Sequence, residues 1–172
     1  TEDLKVISKA VSASPGAATG RIVFNSNLAL ELTSSGENVI LVMTETGPED
    51  VKGMQVSKGV LTVRGGMTSH AALIARGLGI PCVVGAVDLR INLVDKKLYL
   101  KAGQTLSEGE EITINGTTGD IIEGECETKA PELTGAFSDL LSWADDNRSL
   151  KVRANADIPK DATLAKKFNV DG

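Results

Sequence analysis

The sequence predicts a mixed α/β domain in which several strands and few helices stack in layers. Three features favour this class. Uninterrupted apolar runs of strand length, at 38–43 and 80–84, are typical of strands covered on both faces. A glycine turn joins a further predicted strand, 58–63, to a short apolar helix. An Asn-Gly pair between two alternating runs, near residue 115, indicates a β-hairpin.

The chain before the first buried strand is less regular. Residues 1–11 are mixed in character and begin abruptly, as an excised domain would. The small, turn-rich segment 13–20 precedes a predicted strand at 21–24, and its small residues are equally compatible with a tight crossing of two backbones. A short helix is predicted at 28–32.

A second helix is predicted to begin near Thr46 and to run to about Met54. Pro48 stands early in it, and Glu49 and Asp50 fall in its first turn. Paired carboxylates can serve in acid–base catalysis. Acidic residues are ordinary in a first helical turn, however, so an electrostatic role in the helix is the favoured interpretation.

The stretch Gly65-Gly66-Met67-Thr68-Ser69-His70 contains the only histidine of the chain. It is followed by an apolar run that predicts a largely buried helix at 69–76. Ser69 is a good N-cap, Gly77 a good C′ residue, and Arg76 falls in the last turn, where a cation is favourable. His70 is therefore expected in the first turn, at the exposed tip of the helix.

If the electrophile is phosphorus, this arrangement would form a phosphohistidine. A neutral imidazole can act as a nucleophile, and the positive end of a helix stabilises anions. The backbone N–H groups of Gly65, Gly66 and Thr68 could hold phosphoryl oxygens, and the hydroxyls of Thr68 and Ser69 would add donors. Taken alone, however, the histidine is more simply interpreted as a satisfied residue in an ordinary turn, since an isolated titratable residue is only a weak indication of function.

The second half of the domain is predicted to be rich in strands. Residues 87–92 have no clear assignment, 97–101 alternate as an edge strand would, and 103–109 form a turn region. The predicted hairpin pairs 111–114 with 120–123 around the turn 115–119, which is expected to have no contact with a ligand.

Composition excludes several classes of protein. The net charge is −5, with 18 basic and 23 acidic residues, and no basic block is present, so a nucleic-acid surface is not expected. Apolar residues make up 41% of the chain but aromatic residues only 3%, which predicts an aliphatic core. No signal peptide or membrane-spanning run is recognisable, and a cytoplasmic location is expected.

The two cysteines lack the spacing of a metal site. Cys82 lies in an apolar run and is predicted to be a buried thiol, and no metal site is predicted from the chain. A disulfide between Cys82 and Cys126 stays open as an alternative, although such bonds are rare in the cytosol.

A domain boundary is predicted in the charged, Pro-containing segment 125–132. Apolar residues at helical spacing follow it, and then a strand at 150–157 and a helix at 159–168. One strand and one helix cannot bury a core by themselves.

The histidine stretch resembles the phosphohistidine motif of the phosphoenolpyruvate-utilising enzymes. The resemblance extends from the segment Gly65–Ala72 through Ala75-Arg76-Gly77 to Ile80-Pro81-Cys82-Val83-Val84-Gly85. Met67 and Ser69 are most similar to the dikinase members of the family. The segments 13–24, 46–54 and 115–119 are also similar to that branch, so that the resemblance covers essentially the whole chain.

The resemblance implies a swivelling three-layer β/β/α phosphohistidine domain at 1–124. It further implies a linker and helix at 125–149 and the truncated start of a (β/α)8 barrel, which binds phosphoenolpyruvate or pyruvate, at 150–172. His70 would carry a phosphoryl group between an ATP-grasp nucleotide domain and that barrel. Gly65, Gly66, Thr68 and Ser69 would bind the phosphoryl group.

The implied reaction of the complete enzyme converts ATP, phosphate and pyruvate into AMP, pyrophosphate and phosphoenolpyruvate. It implies Mg²⁺, bound mainly outside this chain, and a monovalent cation, as well as a homo-oligomeric enzyme. The fragment alone is expected to be inactive. Arg153 matches an arginine that helps to hold phosphoenolpyruvate or pyruvate, and Thr68 matches a threonine that is phosphorylated for regulation in plant members.

Two other functions stay open from the sequence. The equivalent domain of a phosphoenolpyruvate synthase would release phosphate instead of consuming it. A noncatalytic anion-binding module would keep the glycine turn without the chemistry.

Overall fold

The computed structural model describes residues 5–126, all within the first of the two compact units, Thr1–Ala130, into which the chain divides. The described part is a mixed α/β structure, as predicted. Its strands are β1 Val6–Lys9, β2 Val11–Ser14, β3 Ala17–Val23, β4 Val39–Met43, β5 Gly59–Thr62, β6 Cys82–Val84, β7 Leu89–Asn92, β8 Lys97–Leu100, β9 Thr105–Ser107, β10 Glu111–Asn115 and β11 Asp120–Glu123. Its helices are α1 Ser26–Ser34, a 3₁₀ turn Pro48–Asp50, α2 Val51–Val56 and α3 His70–Leu78.

Eight of these strands form one sheet in the order β1-β11-β10-β3-β4-β5-β6-β2. The strands β3, β4, β5 and β6 pair with one another in parallel, and all other pairs of this sheet are antiparallel. Strands β7, β8 and β9 form a separate antiparallel sheet. Because β3 to β6 are parallel, the loops that leave their carboxyl ends emerge at one edge of the large sheet.

The apolar residues of the large sheet alternate between two cores. In β4, Ile40 and Val42 pack with side chains of the small sheet, among them Leu98. Val39 and Leu41 belong to a second cluster, which contains residues of all three helices. The large sheet thus has the small sheet on one face and the helices on the other, which explains why its central strands are apolar throughout.

Most predicted strands are confirmed with shifts of one to three residues. The predicted strand at 21–24 begins earlier, as β3, since the small residues from Ala17 onward pair with β10. The interpretation of 97–101 as an edge strand is wrong, because β8 is the central strand of the small sheet. Its alternation is real: Leu98 and Leu100 are buried toward the core.

The sequence analysis did not predict four of the strands, namely β1, β2, β7 and β9. Each has three or four residues and lies at an edge of its sheet. Edge strands are half-exposed, so their side chains lack the strong apolar pattern that identifies the central ones. The predicted turn region 103–109 contains β9 for this reason.

The predicted C-terminus of α3 is too early. Gly77 lies inside the helix, and Gly79 ends it with a φ of 67° in the left-handed region that glycine favours. Ser69 is the N-cap as predicted, and its Oγ accepts a hydrogen bond from the N–H of Ala72 at 3.4 Å.

The carboxylates near the start of α2 have a structural role at Asp50. Its side chain is 7% exposed. It accepts hydrogen bonds from the Oγ of Ser26 at 2.7 Å and from the N–H of Gly47 at 2.9 Å. This capping arrangement supports the electrostatic interpretation of the acidic pair and fixes the turn that follows Thr46.

The hairpin between β10 and β11 is confirmed, with Asn115 opposite Asp120. Its turn packs closely on the end of β2: a Cβ at Gly116 would lie 1.9 Å from the carbonyl oxygen of Ser14. The turn of the hairpin therefore clamps the end of β2, and glycine is required at 116 by a close approach of two backbones.

Both cysteines are free, which overturns the disulfide alternative. Cys82 is buried, as predicted, and burial raises the pKa of its thiol to about 12, although the positive charge of Arg76 opposes the shift. Several other predictions lie outside the described residues: Arg153, the helix after residue 132 and the strand and helix of 150–172.

Gly116→Ala is expected to destabilise the domain by about 1–3 kcal/mol or more, because the new methyl group overlaps a fixed carbonyl. Gly77→Ala is the matched control. It lies in a helix with open space around its Cβ, and the same change there should stabilise by ~0.5–1 kcal/mol. Urea unfolding of both variants measures the difference, and equal effects would contradict the clamp.

Cys82 is expected to resist alkylation in the native state. The thiolate is the reactive species, and a pKa of about 12 leaves almost none of it at pH 8. The measurement is iodoacetamide labelling of a Cys126→Ser variant, followed by mass spectrometry, with and without urea. Labelling that is as fast in buffer as in urea would show that the thiol is accessible and ionised.

Candidate functional site

The parallel strands β4, β5 and β6 bring three loops together at one edge of the sheet. Hydrogen bonds continue beyond the ends of β4 and β5, from the N–H of Val63 to the carbonyl of Met43 at 3.0 Å and from that of Arg64 to Thr44 at 2.9 Å. The loop after β4 and the loop that leads into α3 therefore leave the sheet side by side. Residues of both loops face a common cavity.

The glycine turn between β5 and α3 is held by close backbone contacts. Gly65 has a φ of 106°, and a Cβ there would lie 2.9 Å from the Cβ of Ser69. A Cβ at Gly85, just after β6, would lie 2.8 Å from the carbonyl oxygen of Gly65. Glycine at these two positions lets the turn fold back on itself and presents the N-terminus of α3 to the cavity.

The cavity has a volume of about 240 Å³. It is smaller than the roughly 300–1,000 Å³ of pockets that bury drug-sized ligands, yet several times the ~30 Å³ that one water occupies in the liquid. A group of the size of a phosphoryl fits it. It is lined by Glu45, Thr46, Thr62, Arg64, Gly65, Ser69, His70 and Ala71.

His70 is the first residue of α3, and its side chain is half-buried. Its Nε2 atom is shielded from solvent and has no hydrogen-bond partner among the described residues. The Oγ1 atom of Thr46 is also shielded from solvent and also has no hydrogen-bond partner among those residues. A shielded polar atom without a partner is unfavourable, so these two atoms make the cavity a candidate site for binding a polar group.

The predicted site residues divide into two sets. Gly65, Ser69 and His70 line the cavity, whereas Gly66 and Thr68 belong to the same turn but do not line it. The N–H of Ser69 donates to the carbonyl of Gly66 at 3.0 Å, which tightens the turn. The role of Gly66 and Thr68 as phosphoryl ligands stays a prediction.

Sequence reasoning missed the contributions of the neighbouring strands' loops. Thr46 and Glu45 follow β4, and Arg64 follows β5. The predicted strands 38–43 and 58–63 could have indicated these residues, because the residues that follow parallel strands of one sheet meet at the same sheet edge. Thr62 also lines the cavity, but its hydroxyl donates to the carbonyl of Arg64 at 2.7 Å and is therefore satisfied.

Residues of both charges line the cavity. Arg64 and Glu45 are both exposed, and neither forms an ion pair within residues 5–126. The guanidinium of Arg76 instead donates to the carbonyl of Met67, which braces the turn before α3. Arg64 is thus the cation that is available to an anion in the cavity.

Between residues 5 and 126, no group of three or more His, Cys, Asp or Glu side chains is placed to hold a metal ion. No helix in that range has both the length and the apolar character needed to cross a membrane.

Comparison with known proteins identifies the motif. Residues 35–119 match the family model described as "PEP-utilising enzyme, mobile domain". The chain is 47% identical over 167 residues to "Pyruvate, phosphate dikinase" of Rhizobium meliloti and 46% identical over 168 residues to that of Clostridium symbiosum. A chloroplastic relative of Arabidopsis thaliana is 47% identical over 168 residues.

These alignments cover 97–98% of this chain but only 17–19% of each relative, so the chain spans about a fifth of their length. A solution structure of Enzyme I is 26% identical and covers 64% of this chain and 37% of its own, with a TM-score of 0.38, which is too low to support an argument. The family match and the dikinase alignments together show that the chain belongs to the PEP-utilising enzymes and contains their mobile domain.

Proposed function

We propose that this domain is a phosphoryl carrier and that Nε2 of His70 is the atom that carries the group. The observation that carries this proposal is the shielded, unpartnered Nε2 beside a cavity of about 240 Å³. The ring nitrogen has no hydrogen-bond partner within residues 5–126, and His70 lines a cavity large enough for a phosphoryl group. Most buried polar atoms of folded proteins have a partner, so an unpartnered ring nitrogen beside a cavity supports a binding role.

The transfer is a series of three displacements at phosphorus. In the first, the Nε2 lone pair of the neutral ring attacks the β-phosphorus of ATP and an N–P bond forms. The P–O bond to AMP breaks, and its electron pair departs with the AMP oxygen, so that the ring carries a pyrophosphoryl group. In the second, an oxygen of phosphate attacks the outer phosphorus, the bond from that phosphorus to the bridging oxygen breaks, and pyrophosphate leaves with one phosphoryl group remaining on Nε2. In the third, an acceptor oxygen attacks the remaining phosphorus, and the N–P bond returns its electron pair to the ring. Nδ1 retains its proton throughout.

The N-terminus of α3 supports such an anion. Its unpaired N–H groups and dipole place partial positive charge beside His70. Gly65 and Ser69 line the cavity directly, and we assign them, with Gly66 and Thr68 of the same turn, to the phosphoryl group. The guanidinium of Arg64 adds the positive charge that a dianion requires.

In the complete enzyme, we propose that the domain swivels between an ATP-grasp domain and a barrel that binds phosphoenolpyruvate or pyruvate. The overall reaction would be that of a pyruvate, phosphate dikinase. Mg²⁺ would support the nucleotide chemistry from residues outside this chain, as would a monovalent cation. Arg153 is proposed to contact phosphoenolpyruvate or pyruvate. Thr68 is proposed as a site of regulatory phosphorylation, because it matches the threonine that is phosphorylated in plant members.

The dikinase assignment is favoured over a synthase by the relatives, which are named pyruvate, phosphate dikinase. The two reactions differ in their products. Assay of the enzyme that contains this chain, with ATP, pyruvate and phosphate, should produce pyrophosphate. Activity without phosphate and without pyrophosphate formation would identify a synthase.

The carrier role is tested by the chemistry of the phosphorylated protein. Incubated with [β-³²P]ATP and magnesium, the enzyme that contains this chain should form an acid-labile, alkali-stable phosphate on the peptide with His70. His70→Asn should lose this label, and overall activity should fall by at least 10³-fold. A labelled, active His70→Asn enzyme, or an active enzyme that never becomes labelled, would rule the proposal out.

Ser69 is expected to have two separable roles. Ser69→Ala removes the N-cap of α3 and should destabilise the domain by ~1 kcal/mol in urea unfolding. Ser69→Asp keeps a good cap and the stability, but its carboxylate repels the phosphoryl group, so labelling of His70 should be slower than in Ser69→Ala. The opposite order of labelling would show that capping alone explains this residue.

A further inference from the structure

We propose that Thr46 is a phosphoryl ligand, with its hydroxyl donating a hydrogen bond to the group carried by His70. This inference rests on the proposed carrier function and extends it to a loop outside the histidine motif. The juxtaposition that supports it is one cavity with two shielded polar atoms, Thr46 Oγ1 and His70 Nε2, that have no partner within the described residues.

The position of Thr46 is set by its surroundings. It follows β4, whose parallel neighbour β5 leads to the glycine turn. On its other side, the N–H of Gly47 donates to the buried carboxylate of Asp50 at 2.9 Å. The loop is thus fixed at both ends. Thr46 lines the cavity, and its shielded hydroxyl has no hydrogen-bond partner within residues 5–126.

The other hydroxyls on the cavity each have a hydrogen bond. That of Thr62 donates to the carbonyl of Arg64 at 2.7 Å, and that of Ser69 accepts from the N–H of Ala72 at 3.4 Å and keeps its own proton for a ligand. The hydroxyl of Thr46 is the one on this cavity that has no hydrogen bond within residues 5–126. A phosphoryl on Nε2 would satisfy both unpartnered atoms, because the N–P bond uses the nitrogen lone pair and the oxygens accept from Thr46.

The charges on the cavity explain why a neutral donor is useful there. The carboxylate of Glu45 repels a dianion, while the guanidinium of Arg64 attracts it. A hydroxyl stabilises the phosphoryl without adding a charge that would hinder its later departure. The hydrogen bond should favour the dianionic form of the group.

This role predicts an unusual pair of effects for Thr46→Val. In the unphosphorylated protein the change removes a shielded, unpartnered hydroxyl and keeps the shape of the side chain. The urea midpoint should therefore be unchanged or raised. In the phosphorylated protein the donor is lost, so the pKa of the phosphoryl group should rise by about half a pH unit or more.

The experiment uses the 172-residue chain with potassium phosphoramidate as donor. The ring nitrogen attacks phosphorus, and the P–N bond of the reagent breaks with release of ammonia. ³¹P NMR titration then gives the pKa of the phosphoryl group in unsubstituted chain, Thr46→Val, Thr46→Ser and Thr44→Val. Thr44→Val is the control, because Thr44 is exposed on the same loop and does not line the cavity.

We expect a raised pKa in Thr46→Val, restoration in Thr46→Ser and no change in Thr44→Val. Equal pKa values in the unsubstituted chain and Thr46→Val would overturn the role of Thr46 and leave the carrier function intact. A lowered urea midpoint without a change of pKa would show a structural residue only. A phosphoryl signal that persists in His70→Asn, or its absence from the unsubstituted chain, would overturn the carrier function and this inference with it.

Discussion

The parallel pairing of β4, β5 and β6 is the constraint on which the rest of the site depends. It directs the loops after these strands to one edge of the sheet, where the backbone bonds from Val63 to Met43 and from Arg64 to Thr44 hold two of them together. Each strand is apolar on both faces because it separates two cores. The same burial that stabilises the strands therefore fixes the geometry of the polar loops at their ends.

At that edge, most polar groups are satisfied internally. Asp50 accepts two hydrogen bonds, Thr62 donates to a carbonyl, and Ser69 caps α3. In contrast, Oγ1 of Thr46 and Nε2 of His70 have no hydrogen-bond partner within residues 5–126. A folded domain tolerates a few such atoms, since each costs only about 1–3 kcal/mol, and sites of binding are where that cost is recovered when the ligand arrives.

The sequence predicted the buried strands, the hairpin, the N-cap and the position of His70, because these depend on local patterns. It did not predict β1 or β2, because these are short edge strands that are stabilised by pairing with strands distant in the sequence. The end of α3 was misplaced by two residues, since two glycines compete for one cap and tertiary packing selects Gly79. Thr46 was assigned to a helix start, because only the sheet topology brings it to the histidine. The resemblance to a family supplied the function, which no pattern of residues alone implied.

The cavity agrees with the proposed carrier role. Its volume of about 240 Å³ accommodates a group of the size of a phosphoryl, and His70 lines it. In that proposal the described residues supply the nucleophile and hold the transferred group, and the donor and acceptor sites belong to other parts of the enzyme. This agrees with a chain that spans about a fifth of its relatives. Division of labour of this kind would let each partial reaction have its own water-excluding site, while a covalent N–P bond would keep the group from being lost between them.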